Sequence, residues 1–205
     1  MNIQNYIKNY IKHKPINSLL IGINTVFLIV TLFTGGFDIL NLVDLGALFP
    51  PLVTQNGEYY RIITAMFLHA NIFHFLMNMY VLFYLGGHME QLIGPRKYLL
   101  AYMASGIVSS LAVTYLGNDN VVTVGASGAI FGIMGGLLLL TFVRKEWFSP
   151  QSIRSIRNLM GLNLVLTFVI ADISILGHLG GLVTGLLLFY FIAPKKPYYF
   201  EQHIY

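Results

Sequence analysis

The chain has 205 residues, of which 56% are hydrophobic and only 10% charged, and a mean hydropathy of +0.70, whereas about 25% of a water-soluble domain is charged. This composition indicates an integral membrane protein and excludes disorder and collagen-like repeats; with no cysteine, it also excludes disulfides, thiolate metal sites and a cysteine nucleophile. The net charge of +4 comes from basic residues scattered between apolar segments, which leaves no continuous face for nucleic acid.

Residues 1–14 carry Ile3, Tyr6, Ile7, Tyr10 and Ile11 at helical spacing, with Lys8, Lys12 and Lys14 between and beyond them. This predicts an amphipathic cytoplasmic segment on the lipid surface rather than a disordered basic tail. No small-residue cleavage site follows, so the segment does not read as a cleavable signal. A membrane span needs about 20 apolar residues. Six segments are predicted to span: 16–33, 65–86, 98–116, 124–143, 159–171 with an extension back to Ile156, and 173–192. They make one domain, 15–194, followed by a cytoplasmic tail, 195–205. The connection 34–61 is long and semi-apolar, as expected of a loop that lies in the interface or serves function.

Charge orients this all-α bundle. Eleven of the twelve Lys and Arg residues fall on one side, and only Arg61 falls on the other, together with Asp38, Asp44, Glu58, Asp119 and Asp172. The basic side is cytoplasmic by the usual asymmetry of short loops, so both termini are expected there.

Polar residues inside spans cost energy to insert and are functional candidates. The second predicted span opens with His69, His74 and Asn78, the fourth with Gly125-Ala126-Ser127-Gly128, and the sixth holds His178. These three spans run inward, so the groups share the outer leaflet. At 1.5 Å per residue, Ser127 and His178 lie about 5 to 10 Å below the outer boundary. Gly128, Gly132 and Gly136 face the same spacing in Gly177, Gly181 and Gly185, a pattern that lets two helices pack closely in lipid.

A serine and a histidine at one depth make a nucleophile and base plausible. Ser127 at a helix start offers its own backbone N–H to an oxyanion. His74 and Asn78, four apart on one face, read as an interhelical hydrogen-bond pair, a metal fragment or oxyanion donors. Asp172 is the only acid near this region and belongs to a loop, so a dyad is expected, with Phe131 packing on the His178 ring in place of a carboxylate. Other chemistries fit less well. No pair of aspartates lies within spans, and no His-Glu-x-x-His motif occurs. His69 and His74 diverge on a helix, His88 lies near the cytoplasmic end, and Ala129 breaks a Gly-x-Ser-x-Gly elbow. No metal site is therefore expected.

Together, Gly125-Ala126-Ser127-Gly128, His74-x-x-x-Asn78 and His178 before glycines resemble the rhomboid intramembrane serine proteases. Gly57-Glu58-Tyr59-Tyr60-Arg61 with Phe67-Leu68-His69, and Leu85-Gly86-Gly87 with Glu90, extend the resemblance over residues 45–185. It implies a six-span rhomboid-like bundle that cleaves transmembrane segments of single-span or other membrane proteins near their extracytoplasmic ends, without cofactor. Ser127 and His178 would be catalytic, and His74, Asn78 and Ser127 would form the oxyanion hole. His69, Gly125, Gly128, Phe131, Arg61 and Glu90 would support them. Two departures are Tyr60, where many members have Trp, and Phe131, where some have Tyr. The N-terminus lacks an Arg- and Ser-rich transit pattern, which favours a bacterial plasma membrane, with the site on the extracytoplasmic side. The competing reading is a non-catalytic rhomboid-like protein that binds membrane helices.

Overall fold

The computed structural model describes residues 2–170 and 173–201. The described residues are helical, apart from loops and one antiparallel bridge between Leu48 and Thr123. Helix α1 (Ile3–His13) is followed by α2 (Pro15–Thr34), which opens on a proline whose missing N–H would have had no helical partner. The connection 35–60 contains the short helices α3 (Ile39–Asp44) and α4 (Pro50–Thr54). After it come α5 (Arg61–Thr64), a 3-10 turn Ala65–Phe67, and α6 (Ile72–Val81), which runs through a π turn Leu82–Gly86 into α7 (Gly87–Ile93). The rest comprises α8 (Pro95–Leu116), α9 (Ser127–Val143), α10 (Pro150–Val169), α11 (Ile175–Ile192) and the short α12 (Tyr198–Glu201).

Among the described residues α2, α8 and α11 are long and apolar enough to cross a membrane, and the pair Arg61–Phe67 and Ile72–Ile93 adds a fourth crossing if it counts as one span. Helix α9 is apolar but shorter. The chain is a multi-pass, all-helical membrane protein.

The second predicted span needs correction. Instead of one helix over 65–86, the chain bends by 89° between Phe67 and Ile72. Leu68 is extended, and the Asn71 side chain accepts the His74 N–H at 2.8 Å, starting a new helix. No proline or glycine marks this break, so hydropathy runs across it. Beyond Gly86 the helix continues to Ile93, because both glycines there keep helical backbone angles. Helix α10 starts at Pro150, capped by Ser149, so Arg154 and Arg157 are helical rather than in a loop. The sixth segment begins at Ile175 on a Ser174 cap; Ala171 and Asp172 lie outside the described residues, as do Met1 and 202–205 of the tail.

The centre of the bundle is the packing of α8, α9 and α11. A Cβ on Gly181 would strike the Gly128 carbonyl oxygen, and one on Gly185 the Gly132 carbonyl oxygen. From α8, Ser109 abuts Gly128 and Ser105 abuts Gly132 where the three helices meet, and the Ser109 hydroxyl donates to the Gly177 carbonyl at 2.7 Å. Without hydrophobic drive between helices in lipid, such backbone-level contact and hydroxyl bonding provide the association.

Candidate active site

Ser127 occupies the first position of α9, after Gly125 and the N-cap Ala126. The turn into α9 is held from outside. Gly125 donates its N–H to the Ala65 carbonyl at 2.9 Å, and Leu48 and Thr123 exchange two backbone bonds of 3.0 and 2.8 Å. The first connection therefore braces the segment that delivers Ser127. Gly125 has φ +131°, outside the usual range of a side-chain-bearing residue. A Cβ there would also lie 2.7 Å from His74 Cε1 and 2.9 Å from Nε2, and 3.6 Å from Ser127 Oγ. The His74 ring and the serine hydroxyl thus flank one glycine.

His178 arrives from α11, whose glycines allow it to sit level with the first turns of α9. Its imidazole is stacked on the Phe131 ring, centroids 3.9 Å apart and planes 19° apart, and is 8% exposed. Its Nδ1 is hydrogen-bonded to Thr167 Oγ1 of α10 at 2.8 Å. The ring is therefore fixed by a face and by one nitrogen, leaving Nε2 as the other nitrogen. Ser127 and His74 thus meet at Gly125, and His178 is stacked on Phe131, one helical turn after Ser127.

Asn78 is buried one turn below His74, with Nδ2 donating to the His74 carbonyl at 2.9 Å. That bond uses one of the two amide protons and orients the group. His69 is not on the same helix as His74: it lies in the bend, 2% exposed, edge-on to the His74 and Phe75 rings at 5.1 and 5.3 Å. Neither of its ring nitrogens has a partner among the described residues. It backs the His74 ring rather than lining an open cavity.

Arg61 and Glu90 lie away from this cluster, and each supports the fold locally. Arg61 pairs with Glu58 at 2.6 Å and donates to the Val43 and Ala47 carbonyls, closing the loop after α3. Tyr60, the residue that departs from the family's Trp, donates its hydroxyl to Glu58 at 2.8 Å. That bond and Arg61 hold the Glu58 carboxyl below its usual range. Glu90 accepts the Ile16 and Asn17 N–H groups at the start of α2.

Sequence reasoning missed Thr167, Ser105 and Ser109. The available signals were Asn163 and Thr167 at i, i+4 within an apolar helix, and Ser105 and Ser109 at the same spacing opposite the glycine rows.

The helices and their composition define a multi-pass membrane protein with serine, histidine and asparagine gathered at one end of its bundle. The Rhomboid domain family model matches residues 56–195, and the chain belongs to the rhomboid family. It is 34% identical to "Putative rhomboid protease YdcA" of Bacillus subtilis over 71% of this chain and 73% of that protein. It is 32% identical to "Rhomboid protease GluP" of Bacillus subtilis over 78% of this chain but 31% of that protein. With "RHOMBOID-like protein 1" of Arabidopsis thaliana it shares 33% identity over 80% of this chain and 42% of that protein. The chain thus spans less than half of the latter two relatives.

Proposed function

We propose that the chain is a serine endopeptidase that cleaves transmembrane segments of other membrane proteins near their extracytoplasmic ends. In this reading residues 15–194 form a six-span catalytic domain with both termini in the cytoplasm, the amphipathic segment 1–14 on the membrane surface and 195–205 as a tail. The active site then faces the extracytoplasmic side of a bacterial plasma membrane. Helices α2, α8 and α11, with the bent pair Arg61–Phe67 and Ile72–Ile93, support four of the six expected crossings; α9 and α10 are read as the other two, and the side assignment rests on the basic residues.

Ser127 Oγ attacks the scissile carbonyl carbon while His178 Nε2 takes its proton, then returns it to the leaving amine. Water repeats the sequence on the acyl-enzyme. The negative oxygen of each tetrahedral intermediate is met by the Ser127 backbone N–H at the start of α9, the His74 ring and the remaining Asn78 amide proton. Packing of His178 on Phe131 restricts the ring to rotation in its own plane, so a bond at Nδ1 is enough to aim Nε2. Neither a metal nor a cofactor is required by this scheme.

The stacking of His178 on Phe131, one helical turn from Ser127, carries the proposal. It is tested by a fluorophosphonate probe on detergent-solubilised protein. Labelling of Ser127 that requires His178 supports the enzyme. Absence of labelling together with capture of membrane helices would favour the non-catalytic binding protein.

A further inference from the structure

Among the described residues no carboxylate is hydrogen-bonded to His178, yet a general base must keep one ring nitrogen unprotonated and pointed at the nucleophile. We propose that Thr167 is the positioning residue that sets the His178 tautomer, a reading that rests on the dyad proposed above. Thr167 is 1% exposed near the end of α10, and its Oγ1 makes two bonds: one to the Asn163 carbonyl at 2.8 Å and one to His178 Nδ1 at 2.8 Å.

A hydroxyl has one proton and two lone pairs. A carbonyl oxygen can only accept, so the Thr167 proton goes to Asn163, the usual back-bond of a helical threonine. The oxygen that faces Nδ1 is then an acceptor, and Nδ1 must carry the hydrogen. Neutral His178 is thereby held as the Nδ1–H tautomer, with Nε2 unprotonated. The reverse arrangement, with Thr167 donating to Nδ1, would leave the Asn163 bond unmade and protonate Nε2, which cannot then receive the Ser127 proton. When Ser127 Oγ bonds to the substrate carbonyl carbon, its proton moves to Nε2. The imidazolium formed is steadied by the Thr167 lone pair until Nε2–H passes to the leaving amine. A neutral hydroxyl thus supplies the orientation and tautomer control that a carboxylate supplies in a triad, and the Phe131 ring supplies the plane.

Because Thr167 belongs to α10 while Ser127 and His178 belong to α9 and α11, the base is aimed correctly only when α10 is docked. Most of α10 is exposed, and Ile153, Met160 and Thr167 are its buried residues.

Two measurements test this. In the unmodified chain with 15N-labelled histidine, NMR at neutral pH should give His178 a pyrrole-type Nδ1 and a pyridine-type Nε2; the opposite pattern overturns the proposal and needs no variant. Thr167→Val keeps the shape and removes the acceptor. It should lower kcat about tenfold, the worth of one such bond, with KM unchanged, and slow fluorophosphonate labelling equally. Thr167→Ser should restore both to within about threefold, as expected when the hydroxyl rather than the methyl matters. Wild-type kcat in Thr167→Val, or loss in Thr167→Ser equal to that in Thr167→Val, sinks the assignment. If Ser127→Ala retains cleavage, the protease reading fails instead, and the NMR pattern still decides the Thr167 bond.

Discussion

The helical run Ile72–Ile93 carries polar side chains at both ends, and the two ends treat them in opposite ways. At the Glu90 end the polar groups saturate one another. Glu90 accepts two N–H groups of α2, Tyr98 donates to Asn17 Oδ1 at 2.6 Å, Asn17 Nδ2 donates to the Tyr10 hydroxyl at 2.7 Å, and Tyr10 donates to the Phe83 carbonyl at 2.6 Å. At the His74 end, the side chains are aimed but not used up. Asn78 has a proton to spare, His178 has one nitrogen engaged, and among the described residues neither Ser127 Oγ nor the His74 ring is hydrogen-bonded within the chain. Insertion of a polar residue into a bundle therefore does not distinguish a site from a joint. Between these two ends of the run, residual bonding capacity does.

The largest effect that would break this contrast is at Ser127. Ser127→Ala should lower kcat on the order of 10⁶-fold, measured as cleavage of a single-span reporter in vesicles, with an unchanged melting temperature. Intact cleavage would end the catalytic assignment. Next comes Asn78→Ala, which should lower kcat by about 10² to 10³ if its free proton meets the oxyanion, and cost under about 1 kcal/mol of stability because its internal bond is to a helix carbonyl. A variant that loses stability and keeps turnover would move Asn78 into the class of Glu90.

The opposite signature belongs to the inner joint. Glu90→Ala leaves two buried N–H groups at the start of α2 and should cost about 2 to 3 kcal/mol, read from denaturant or thermal unfolding in detergent. Turnover per folded molecule should not change. A drop in kcat without a drop in stability would return Glu90 to the site.

That reassignment shows what the sequence carried and what it did not. The long apolar helices α2, α8 and α11 and the two glycine rows were readable because lipid imposes length and close packing imposes small residues. Gly125, Ser127 and His178 stood out because each is costly or unusual where it stands. The bend at 68–71 was invisible, since an asparagine cap in an apolar stretch resembles any other polar residue. Glu90 was expected to support the site only through the family resemblance, and what it holds was not legible, because its partners are backbone groups 74 and 73 residues away. Thr167 was passed over for the converse reason. Threonine inserts cheaply into a membrane helix, so its spacing of four from Asn163 was a faint mark until its hydroxyl was seen against the imidazole.

The smallest predicted effect sharpens the comparison most finely, because it removes a single oxygen from the saturated end. Burial pushes the Tyr10 phenol up to about 12, so at neutral pH it is a hydroxyl that donates to Phe83 and accepts from Asn17. Its ring also stacks on Phe83, centroids 4.4 Å apart, and Phe at position 10 keeps that contact. Tyr10→Phe should therefore cost only about 1 kcal/mol, the net worth of a neutral hydrogen bond, and leave kcat unchanged. The wild-type contribution has a pH signature. The folded phenol holds its proton more tightly than the unfolded one, so its stabilisation is complete below about pH 10 and is lost as pH rises through about 12. The variant should lack that alkaline loss. If Tyr10→Phe instead lowered kcat at constant stability, Tyr10 would be acting through the π turn on His74 and Asn78, and the two ends of this helical run would be one coupled device rather than a joint and a site.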